Sequence, residues 1–80
     1  MPERLWSVFS ALASMFPKTS LKGIGATCVV HVESKDRSVE ISDIKGGWWL
    51  EFGQGTNTKV RECLAHTKEE VLRLVRDWLK

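Results

Sequence analysis

Two cysteines and two histidines stand in a repeated spacing, Cys28-x-x-His31 and Cys63-x-x-His66. Four nitrogen and sulfur ligands are what a tetrahedral structural zinc takes. Ligands at i and i+3 converge from a turn, a knuckle or a helix, whereas on a strand they point to opposite faces. Both pairs fall in segments of strand character, so the spacing predicts two reduced thiols and two separate histidines, with no metal and no cofactor. Two cysteines also fall short of the dense framework of a small disulfide scaffold. A cysteine–histidine nucleophile needs an orienting group and oxyanion donors besides, and no such set is identifiable. Gly23-Ile24-Gly25 lacks the third glycine and the helix start of a phosphate-binding loop. Glu33, Glu40, Glu51 and Glu62 fit outward strand positions better than an acid/base pair. No catalytic residue is expected, and the chain is not expected to be an enzyme.

The tryptophans carry more. There are four in 80 residues. Trp48 and Trp49 are adjacent, so on a strand they face opposite ways. Trp48 is assigned to the core and Trp49 to the outer face, near Ile44. With His31, Glu51 and Arg61 around them, Trp49 and Ile44 make a candidate contact surface, since aromatic residues and arginine dominate binding hot spots. Trp6 and Trp78 lie beside apolar helical stripes and are expected to pack between helices.

These residues need elements to position them. Leu5, Val8, Phe9, Leu12 and Phe16 fall on one face of a 3.6-residue period, which predicts a helix over 3–16 that Pro17 ends. Residues 17–25 are a connection rich in turn formers. Residues 26–33 and 38–44 are strands joined by a tight turn at Lys35-Asp36. That turn places Val32 opposite Val39, Val30 opposite Ile41 and His31 opposite Glu40, which sorts apolar and polar pairs onto separate faces. Gly46-Gly47 is a second hairpin turn. It leads into a strand at 48–53, with Ile41 opposite Phe52 and Ile44 opposite Trp49.

Residues 59–65 fit either a strand or the start of a long helix. As a strand they set Val60 opposite Phe52 and Leu64 opposite Trp48, with Glu51 beside Arg61 on the outer face. Cys28 then faces the core and Cys63 faces outward. Thr67-Lys68-Glu69-Glu70 matches a capping box, which starts a new helix near residue 68 and favours the strand before it. Val71, Leu72, Leu74, Val75, Trp78 and Leu79 form that helix's apolar face. The expectation is a single small α+β domain over 1–80, ordered αββββα. It is a two-layer sandwich of a four-stranded antiparallel meander with both helices on one face.

Charge and composition bound the function. Twelve basic residues against ten acidic ones give +2, with the basic residues scattered. That is a mixed, solvated surface rather than the basic stripe of a dedicated nucleic-acid binder. No apolar run reaches membrane length, and the first residues lack the positive charge of a signal peptide. A cytoplasmic location is expected. If 59–80 were one helix, the order would be helix, three strands, helix, which is similar to that of double-stranded-RNA-binding domains. Gly53-Gln54-Gly55 followed by Lys59 resembles that family's glycine-rich stretch before a basic helix start, although Val60 stands where the second lysine would be. The resemblance implies an alternative function, nucleic-acid binding through Lys59 and Arg61. The function expected first is a non-catalytic protein-interaction module. It would work through the exposed sheet face around Trp49 or through a sheet edge, where pairing with a second copy would give a homodimer.

Overall fold

In the computed structural model, residues 3–80 are described, apart from the side chains of Ala26 and Thr58. Helix α1 runs over Glu3–Met15. It is followed by strands β1 (Thr19–Lys22), β2 (Val29–Ser34), β3 (Arg37–Ile44), β4 (Gly47–Gln54) and β5 (Asn57–Ala65), and by helix α2 (Lys68–Leu79). The strands form one antiparallel sheet in the order β1-β2-β3-β4-β5. Leu5, Val8 and Leu12 of α1 and Val71, Val75 and Leu79 of α2 join Val30, Val32, Val39, Ile41, Trp48, Leu50, Phe52 and Ala65 in one buried cluster. Both helices therefore cover the same face, giving the expected α+β sandwich, and the other face is bare.

The sheet has five strands, because part of the expected 17–25 connection is β1. The Thr19 hydroxyl donates to the Phe16 carbonyl at 2.7 Å, tying the strand to the end of α1. Thr19 then opposes Val32 and Lys22 opposes Val29. β1 covers an edge of β2 whose N–H and C=O groups would otherwise stand open.

The β2–β3 hairpin has the expected register, with Val30, His31 and Val32 opposite Ile41, Glu40 and Val39. The next hairpin turns one residue earlier than expected, at Lys45-Gly46, and Gly46 takes the positive φ of 88°. Ile41 thus pairs with Leu50, Val39 with Phe52, and Ile44 with Gly47. A two-residue shift keeps every side chain on its expected face.

The β4–β5 pairing differs by one residue, which reverses the faces. Trp48 opposes Ala65, Trp49 opposes Leu64, Leu50 opposes Cys63 and Phe52 opposes Arg61. The cause is a bulge: Gln54 still pairs with Asn57, so residues 58–60 lie against Gly53 alone. Val60 is exposed instead of lying over Phe52, and Cys63 packs against the core instead of facing outward. Trp48 and the small Ala65 opposite it are both buried.

α2 begins as the capping box implies. The Thr67 hydroxyl accepts from the Glu70 N–H at 3.1 Å. The Glu70 carboxylate reaches back to the His66 N–H at 2.8 Å. Trp78 fixes the other end, its indole N–H shared between the carbonyls of Ser38 and Gly53 at 3.1 and 3.2 Å. Trp6 differs from expectation: it stands 52% exposed and packs on Phe9 of its own helix. Among the described residues, no helix is long and apolar enough to cross a membrane.

Candidate functional site: the bare face of the sheet

Two rows of side chains cross this face. One is polar: Ser20, His31, Glu40, Glu51 and Glu62 stand opposite one another on successive strands. The other contains Ser42, Trp49 and Leu64, aligned across β3, β4 and β5, with Lys22 opposite Val29 at the far side. Two residues along a strand span about 7 Å, which separates the rows. Leu64 is 41% exposed, Ile44 37% and Val60 47%. Trp49 is half-buried between Ser42 and Leu64.

Glu40, Glu51 and Glu62 are directly opposed like charges, an arrangement that destabilises a sheet. Lys59 and His31 engage these carboxylates from the two ends of the row. Lys59 reaches from the bulge to Glu51 at 3.2 Å and to Glu62 at 3.6 Å. Its hydrogen bond to Glu51, followed by the charges of Glu51 and Glu62, raises the lysine pKa. His31 holds the other end. Its Nδ1 lies 3.1 Å from Glu40 and its Nε2 2.7 Å from Glu33. The two carboxylates cover the ring, so His31 is only 8% exposed on an otherwise open face. The hydrogen bond from His31, followed by its charge, holds the Glu33 pKa below the ordinary glutamate value.

Ser20, His31 and Glu40 also stand in the order of a nucleophile, a base and an orienting acid. The geometry does not couple them. Nε2, the nitrogen that would take the serine proton, is held by Glu33, and no hydrogen bond joins Ser20 to His31 among the described residues. The Cys/His pairs are also dispersed. Cys28 lies just before β2, Cys63 is on the helix side, His31 is engaged on the bare face, and His66 lies by the Gly46 carbonyl at 3.4 Å. Among the described residues, no three His, Cys, Asp or Glu side chains gather to hold a metal.

Of the five residues assigned to a contact surface, Trp49, Ile44, His31 and Glu51 share the bare face. Arg61 does not. The β5 bulge turns it to the helix side, where its guanidinium lies 5.7 Å from the Phe52 ring centroid. There it lines a groove of about 220 Å³ with Arg73, Leu74, Asp77 and Trp78. Lys59 is on a strand, so the basic helix start of the three-strand alternative does not form. Leu64 belongs to the surface, whereas the register without a bulge sets it opposite Trp48 on the core side. The alternation Val60-x-Glu62-x-Leu64 contained the signal for either face. Compared with protein-family models, curated proteins and solved structures, the chain matches none of them.

Proposed function

We propose that the chain is a non-catalytic protein-interaction module and that the bare sheet face is its contact surface. One observation carries this. An antiparallel sheet with one solvated face ordinarily alternates apolar-in and polar-out, yet Trp49 and Leu64 stand opposite one another on the solvated side, with Ile44 next along β3 from their row. A half-buried tryptophan ringed by aliphatic and charged side chains has the composition of a binding hot spot and its rim. A photo-cross-linking residue at position 64, with position 76 on the exposed side of α2 as control, tests it in an extract of the source cells. The expected result is a discrete protein adduct from position 64 alone, unaffected by nuclease. Unlabelled wild type competes it away and the Trp49→Ala variant does not. Equal labelling from both positions, or adducts only to nucleic acid, would overturn the proposal.

A further inference from the structure

Building on that contact surface, we infer that its occupant is a basic amphipathic helix of a partner protein, laid across the strands. Charge gives the sign. Glu33, Glu40, Glu51 and Glu62 stand on this face against Lys22 and Lys59, with Lys18 beside Glu33, while the whole chain is +2. The face thus keeps a carboxylate excess on a chain that is basic overall. The carboxylates of Glu40, Glu51 and Glu62 are aligned opposite one another, and Lys59 alone is shared between two of them, so partner cations would find acceptors along the row. The apolar row beside them gives the second half of the match. An occupant must place apolar side chains on Trp49 and Leu64 and cations on Glu40, Glu51 and Glu62.

The sheet sets the form of the occupant. Its central backbone groups are already paired within the sheet, so a segment on the face gains side-chain contacts only. An extended segment would leave its own N–H and C=O groups unpaired there, whereas a helix satisfies them internally. Five strands spaced about 4.8 Å apart give a row about 19 Å long, which about 13 residues of helix would span. The result is a third layer, helix on sheet, mirroring the two helices on the other side. A second copy is a poor occupant face to face, because its own carboxylate row would meet this one.

The test is selection from a display library of stabilised helical peptides randomised on one face, against the wild-type chain at moderate salt. Selected peptides are then retested on Trp49→Ala, on Leu64→Ser and on the Glu51→Gln/Glu62→Gln double variant, each first checked for cooperative thermal unfolding. Leu64→Ser serves if Trp49→Ala does not fold. The expected peptides lose binding on the Trp49 or Leu64 variant and are rich in Lys and Arg beside an apolar stripe. They also weaken by about tenfold or more on the double variant and as salt is raised. Peptides that depend on Trp49 and Leu64 but show no excess of cations, and no response to the double variant, overturn the basic helix and leave the contact surface standing. If no peptide depends on Trp49 or Leu64, the contact surface falls as well.

Discussion

Gly46 and Gly47 are neighbours at one turn and are glycine for different reasons. Gly46 takes φ 88° with open space around it. Asparagine tolerates that conformation, so Gly46→Asn is expected to cost less than about 1 kcal/mol. Gly47 has ordinary backbone angles, but a Cβ there would run into the Ala65 carbonyl oxygen. The β4–β5 ladder would have to part, so Gly47→Ala is expected to cost about 2–3 kcal/mol. Urea midpoints of the two variants separate the causes, and equal losses would mean that the close approach of β5 is not what requires Gly47. On the bare face the charges make two further predictions. Lys59 pairs with both of the opposed carboxylates, Glu51 and Glu62. Lys59→Gln should lower the melting temperature most at low ionic strength, with the deficit shrinking as salt screens the carboxylates. A deficit independent of salt would assign the effect to the lysine stem. Glu33 is more acidic folded than unfolded, because His31 donates to its ionised form. Its contribution is therefore present above the unfolded pKa and is lost as pH falls through the lower, folded one. Glu33→Gln should therefore lower the neutral plateau and leave a shallower acid limb, the two stability curves converging at pH values where the wild-type carboxylate is protonated.

α2 is held at both ends by polar contacts and along its length by Val71, Val75 and Leu79. Removing the Thr67 cap by Thr67→Ala should cost about 1 kcal/mol. At the other end the Trp78 indole packs edge-on against Phe52 at 5.4 Å, and Arg37 stacks on it at 4.7 Å while donating to the Trp78 carbonyl at 2.9 Å. Trp78→Phe keeps an aromatic ring but leaves the Ser38 and Gly53 carbonyls without their shared donor, which should cost about 1–3 kcal/mol. Chemical denaturation with proton-exchange protection along α2 checks both, the Thr67 variant fraying the first turn and the Trp78 variant the last. The same elements divide into those legible in the chain and those that are not. Both helices and the β2–β3 hairpin follow from local pattern: apolar period, capping box, and a turn whose register alone sorts the faces. β1 has no such pattern, since Ser20, Leu21 and Lys22 are exposed. It exists because β2 has an edge to cover, and a segment read alone does not contain that demand. The β5 bulge was hidden for a related reason. Hydrophobicity favours Val60 over Phe52, but the bulge puts Arg61 there and sets Ala65 opposite Trp48. Arg61 then covers Phe52, its long side chain lying over the ring while its charged head stays in water.

At the scale of the whole molecule, the bare face was legible as soon as two amphipathic helices had only one apolar sheet face to share. The membership of Arg61 was not, because one bulge decides it. The same architecture bears on self-association. A sheet edge invites pairing with a second chain, yet both edges here carry features that oppose it. β1 is four residues long and ends in Lys22. β5 is nine residues long, but it is interrupted by the bulge and carries Arg61 and Glu62 side by side. Face-to-face pairing would set Glu40, Glu51 and Glu62 against their own copies. Light scattering over a concentration series at moderate salt is therefore expected to give the mass of one chain. Salt is the informative variable. If carboxylate repulsion keeps the apolar row of one molecule from that of another, raising the ionic strength should shift the mass upward at high concentration, and Leu64→Ser should abolish the shift. A dimer already stable at moderate salt and insensitive to Leu64→Ser would place the seam at an edge and leave the bare face open to a partner. A stable dimer that Leu64→Ser breaks would mean that a second copy occupies the face, and the basic helix inferred above would then be wrong.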